Sequence, residues 1–172
     1  LTLLAPGDDP SNLVFVEDAR FEIRDARFES ADAAPGEEEG ALGPGGNGLY
    51  ASDATGVVER SAFAANEKYG LFVVGASDVQ VRDVDVRGGL AGLRVSGEGA
   101  SVQLSRAVIE DPSEAGFIAR ETSVVTLEDV TVRRPGEVGI ILYDEVDATV
   151  RRATVEDAGE GGVALVGAGA VF

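Results

Sequence analysis

The feature that most constrains this chain is a repeat. Gly48, Gly70, Gly92, Gly116, Gly139 and Gly162 stand 22 to 24 residues apart, and each opens the same pattern. Asn12 takes the same place in an earlier copy. Both residue types tolerate the left-handed backbone of a sharp turn, and that is the role expected of them. After the glycine come three apolar-x-apolar pairs, with a turn before the second and two polar residues before the third. In "GLFVVGASDVQVRDVDVR" the pairs are Leu71 and Val73, Val79 and Val81, Val84 and Val86. The Gly139 copy gives Ile140, Leu142, Ala148, Val150, Ala153 and Val155. The Asn12 copy reads Leu13, Phe15, Phe21, Ile23, Ala26 and Phe28. The Gly48 copy fits with one residue deleted in its turn, and the Gly162 copy is incomplete.

Two-residue spacing turns alternate side chains to one face, so each repeat predicts three short strands. A repeat of this length with three strands reads as one rung of a parallel β-helix. The expectation is an all-β solenoid, one domain over residues 1–172, with six to seven rungs. The 23 glycines, and a chain 44% hydrophobic but only 6% aromatic, suit short strands and tight turns. Residues 31–47, "ADAAPGEEEGALGPGGN", form a long insertion at one corner.

The polar residues test the register. The second of the two corner residues reads Asp25, Arg60, Asp83, Arg106, Asp129, Arg152, alternating in sign at every step. The first reads Arg24, Glu59, Arg82, Ser105, Glu128, Arg151, with no like-charged neighbours. The residue after the third strand reads Glu29, Ala64, Arg87, Glu110, Arg133, Glu156. Opposite charges on neighbouring strands stabilise that pairing, so most arginines are expected to set register.

Several functions are excluded or disfavoured. The sequence has no cysteine and no histidine, which removes disulfides, thiol chemistry and the commonest general base. A net charge of −17 argues against nucleic acid, whose affinity rests on neutralised phosphates. The longest apolar run, residues 161 to 172, is too short to insert in a membrane as a helix. The chain starts at Leu1 and lacks methionine, which reads as a piece of a longer protein.

With its "G-[LFI]-x-[VAL]" openings and the two-residue corners of "VQVRDVDV" and "VTLEDVTV", the chain resembles the right-handed parallel β-helix proteins of the pectate-lyase and polygalacturonase superfamily. The resemblance covers Asn12 to Phe172. It implies right-handed coiling and a secreted or cell-surface location. Members include polysaccharide lyases, hydrolases, epimerases, phage tailspikes and non-catalytic surface proteins, so fold alone does not choose. The chain departs from the enzymes. Asp111-Pro112 lacks the histidine of the epimerase motif, and the family's corner asparagine ladder is missing.

A candidate surface lies outside the first strands. Its outward row reads Val14, Tyr50, Phe72, Arg94, Ile118, Ile141, Ala164, and the next Val16, Ser52, Val74, Ser96, Arg120, Tyr143, Val166. The other faces are polar. A contiguous apolar face marks contact with something. Tyr50, Phe72 and Tyr143 offer flat surfaces, and Arg94 and Arg120 cationic donors, for a polysaccharide or protein. The same face also fits one covered by flanking sequence, by the 31–47 loop or by a partner chain. The leading expectation is a non-catalytic scaffold with no catalytic residues, metal site or cofactor. A calcium-dependent polysaccharide lyase with Arg94 or Arg120 as base is the alternative. It requires three or more carboxylates converging on one of them. Glu67, Asp111, Glu114, Glu137 and Glu160 form an acidic edge where calcium is conceivable, but its ligands need to converge. A structural spacer that stacks end to end is the third reading. Lys68, the one lysine, is taken as exposed.

Overall fold

The structure is a computed structural model that describes residues 2–4, 12–32, 45–167 and 169–171. Most of the insertion, residues 33–44, lies outside the described residues. Strand β1 (Thr2–Leu4) is followed by a turn made of β2 (Val14–Glu17), β3 (Arg20–Arg24) and β4 (Arg27–Glu29). Next come β5 (Leu49–Ser52) and β6 (Thr55–Ala64), β7 (Tyr69–Val74) and β8 (Asp78–Arg87), β9 (Ala91–Ser96) and β10 (Ser101–Glu110), then β11 (Ala115–Arg120) and β12 (Val124–Arg133). The last are β13 (Val138–Tyr143), β14 (Asp147–Arg151), β15 (Thr154–Glu156), β16 (Gly161–Val166) and β17 (Gly169–Val171). Every pairing is parallel.

The first strand of each repeat joins a seven-stranded sheet, here the first sheet, ordered β2-β5-β7-β9-β11-β13-β16. The second and third strands share a ten-stranded sheet. In β6, β8, β10 and β12 they fuse into one strand of ten residues, bent near its middle. Five turns run unbroken from β5 to β15, slightly fewer than the rungs expected. The first turn is set apart by the insertion, and β16 and β17 begin a further one.

The bend explains the charge alternation. Asp25, Arg60, Asp83, Arg106, Asp129 and Arg152 all have φ between 48° and 55°. Asp accepts that region readily, whereas Arg needs compensation. Arg60 grips Asp25 with two bonds at 2.8 and 3.0 Å, Arg106 grips Asp83 at 2.6 and 2.8 Å, and Arg152 grips Asp129 at 2.5 and 2.9 Å. At a second left-handed corner Arg134 holds Asp111 at 2.7 and 3.1 Å. These guanidinium hydrogen bonds hold the four aspartates below their ordinary carboxylate range.

The repeat glycines have a different role from the one expected. None of Gly48, Gly70, Gly92, Gly116 and Gly139 is among the positive-φ residues. They are required because the backbone of the next turn lies too close. A Cβ at Gly116 would stand 2.5 Å from Val132 Cγ1 and 2.7 Å from the Gly139 carbonyl oxygen.

The core fills the inside of the coil. Leu49, Leu71, Leu93, Phe117 and Ile140 stack from the first sheet against Val58, Val81, Leu104 and Leu127, all fully buried. Phe28 and Phe63 stack with centroids 4.5 Å apart. Burial of each such side chain contributes roughly 1.5–3 kcal/mol.

The first turn corrects the expected register by one residue. Val14 pairs with Leu49 and Val16 with Ala51, so both point inward, and Phe15 is the residue that faces out. The turn after β2 is one residue short, as after β5. Both carry an aspartate in the left-handed region before an alanine, Asp18-Ala19 and Asp53-Ala54. This shift aligns Asn12 with Asn47, whose Nδ2 donates to Asn12 Oδ1 at 2.9 Å. Asn12 and Asn47 therefore stack just before the first strands, while the corner between the second and third strands carries the charge ladder.

Candidate functional site: the outer face of the first sheet

The outward row is Phe15, Tyr50, Phe72, Arg94, Ile118, Ile141, Ala164, fixed by the strand register. Phe72, Ile118 and Ile141 belong to a second apolar cluster, separate from the core, which also holds Tyr69, Leu90, Ala91 and Ala115, with Tyr50 and Ala164 packed against it. The face is unequal along its length. Phe15 at one end is 51% exposed and Tyr50 half-buried. Phe72, Arg94, Ile118 and Ile141 in the middle are buried. Arg120 and Tyr143 at the other end are again half-buried.

The aromatic residues form a run. Phe15 and Tyr50 stack nearly parallel, 5.2 Å apart. Phe72 meets Tyr50 edge-on at 5.3 Å and Tyr69 at 5.2 Å. The Tyr50 phenol is pushed up, first by partial burial, then by the Glu17 and Asp53 carboxylates. Arg94 closes the run. Its Nη1 donates to the Tyr69 hydroxyl at 2.6 Å, and its Cζ lies 5.4 and 5.5 Å from the Tyr69 and Phe72 ring centres. Arg120 lies on the Tyr143 ring at 4.2 Å. The Nε atoms of both arginines are buried and meet no acceptor.

The five residues expected to bind thus fall into two groups. Tyr50, Phe72 and Arg94 share one continuous contact, and Arg120 and Tyr143 form another. Arg94 leans toward β7 and Arg120 toward β13. Their aromatic partners are three strand steps apart, about 14 Å at 4.8 Å per step. Sequence reading missed Tyr69, whose hydroxyl anchors Arg94, and Phe15. The doubled Asp-Ala turn was the signal for Phe15.

Arg94 and Arg120 differ from Arg24, Arg27, Arg60, Arg87, Arg106, Arg133, Arg134 and Arg152, each of which lies within ion-pair distance of a carboxylate. Among the described residues neither Arg94 nor Arg120 has such a neighbour, and no three acidic side chains gather as metal ligands. Glu114, Glu137 and Glu160 do stack in successive turns, joined by backbone hydrogen bonds from Glu137 N to Glu114 O and from Glu160 N to Glu137 O. Lys68 is buried rather than exposed.

A family model described as right handed beta helix region matches residues 14–172. The chain belongs to the right-handed β-helix family. Its coil is therefore right-handed, and the β-helix accounts for every turn described above. No curated protein and no solved structure matches the chain. No helix among the described residues is long and apolar enough to cross a membrane.

Proposed function

We propose that this β-helix is a non-catalytic scaffold of a secreted or cell-surface protein, presenting the outer face of its first sheet to a polysaccharide or protein partner. One observation carries the reading. This face concentrates aromatic rings and two guanidinium groups without acid partners among the described residues, in a chain whose net charge is −17. Arginine and tyrosine at a partly dry face are the residue types that dominate binding energy. The contact points are the two open ends. Tyr50, beside Phe15, supplies a flat surface at one, and Arg120 on Tyr143 a cationic platform at the other. Phe72 and Arg94, buried between them, hold the face in shape. A location outside the cell belongs to the same proposal and fits an acidic, self-repelling surface. No cofactor enters this reading.

The test is a glycan array probed with and without calcium, using wild type, Tyr50→Ala and Arg120→Ala of matched thermal stability. The reading expects binding that is independent of calcium and lost in the variants, with no shortening of the bound chains. Silence on the array moves the search to protein partners. Calcium-dependent cleavage would replace the scaffold with an enzyme.

A further inference from the structure

The outer face of the ten-stranded sheet carries a second feature, distinct from the proposed partner face. The column Arg24, Glu59, Arg82, Ser105, Glu128, Arg151 crosses adjacent strands in register. Its carboxylates are engaged. Glu59 is held by Arg24 at 3.1 Å and Arg60 at 3.0 Å, and Glu128 by Arg152 at 2.5 Å. Arg82 has no carboxylate within ion-pair distance among the described residues. Its Nη2 donates to Gln80 Oε1 at 3.2 Å, and its Nε is buried without an acceptor. The next position in the column is Ser105. Its short side chain opens a hollow of about 140 Å³, lined by Gln80, Arg82, Gln103, Ser105, Thr126 and Glu128 together with Leu104.

We propose that this hollow binds a neutral, hydroxyl-bearing ligand the size of a single sugar unit. Arg82 only donates hydrogen bonds and Glu128 only accepts them, while Gln80, Gln103, Ser105 and Thr126 do both. A ligand hydroxyl satisfies either wall, since it donates and accepts at once. An anion would suit Arg82 but face Glu128 and the field of a chain at −17. A cation would face Arg82. Arg82 supplies the specificity, because a guanidinium that no carboxylate engages keeps donors for a ligand hydroxyl.

The test is a titration of the ¹⁵N-labelled chain with glucose, galactose and mannose, and with sodium glucuronate as the charged counterpart. The side-chain amide resonances of Gln80 and Gln103 are followed. Ser105→Glu fills the hollow and gives Arg82 an acid partner, so this variant is expected to remain folded. Gln103→Ala removes a wall residue without filling anything. Saturable shifts with at least one neutral sugar are expected, with affinity lower by on the order of ten-fold in both variants. No saturable shift with any neutral sugar would overturn the proposal. So would equal affinity in wild type and both variants, or tighter binding of glucuronate than of every neutral sugar.

Discussion

Replacing Tyr69 by phenylalanine removes one oxygen and leaves the ring. Tyr69 is 1% exposed and Arg94 5%, so the lost acceptor is not replaced freely by water. The bond is short, at 2.6 Å, and its donor is charged. Hydrogen bonds to charged groups contribute roughly 1.5–3 kcal/mol, and a buried donor left unpaired costs a similar amount. A loss near 2 kcal/mol in a chain of this size lowers Tm by about 4–8 °C. With a urea m-value of about 2 kcal/mol/M, the midpoint falls by about 1 M. Arg94→Met removes the charge together with its need for a partner, so it costs less than Tyr69→Phe. The double variant Tyr69→Phe/Arg94→Met is then no worse than Arg94→Met alone, a coupling of at least about 1 kcal/mol. Urea unfolding of the four proteins, followed by circular dichroism, closes the cycle. Additive effects, or a Tyr69→Phe loss below about 0.5 kcal/mol, would refute the claim that this hydroxyl holds Arg94 in place.

Three further outcomes follow from the packing and the charges. Gly116→Ala forces a Cβ against Val132 and the Gly139 carbonyl and costs about 1–3 kcal/mol, whereas Gly162→Ala, with nothing nearer than 4.0 Å, stays within about 0.5 kcal/mol in the same unfolding assay. Phe63→Ala empties the stack with Phe28 in the core and costs about 3–5 kcal/mol, read as a lower urea midpoint. The Asp25, Asp83, Asp111 and Asp129 carboxyls are lowered in the folded chain, so their contribution is complete above the unfolded value of about 4 and is lost as pH falls through the lowered folded values. Thermal melts from pH 7 to 2 therefore show a steep acid loss below about pH 4 that is shallower in Arg106→Gln.

The fold was legible because one solenoid turn repeats the same demands. Each rung needs inward apolar pairs, a glycine where the next backbone crowds in, and corner residues that tolerate positive φ. Charge at the bend gave a second reading of the same register, and the Arg–Asp grips at Arg60, Arg106 and Arg152 show why it alternates. The first turn misled because Val14, Phe15 and Val16 are all apolar, so alternation there fits either phase. Only the turn length, through Asp18-Ala19, decides it. The five candidate binding residues could be placed on one face from spacing alone. How deeply each is buried could not. Spacing gives the direction of a side chain, while the burial of Arg94 depends on rings from another strand, Tyr69 and Phe72.

The outer face of the first sheet is closed in its middle and open at both ends. Because the chain has no cysteine, single cysteines placed at positions 50, 72, 118 and 143 report that directly through thiol labelling, with position 103 on the polar face as reference. Thiols at 50, 103 and 143 should label readily, and those at 72 and 118 at least about ten-fold more slowly. Labelling at 72 and 118 as fast as at 103 would contradict the account, because the buried Arg94 shelf and the two-ended contact surface would both be absent.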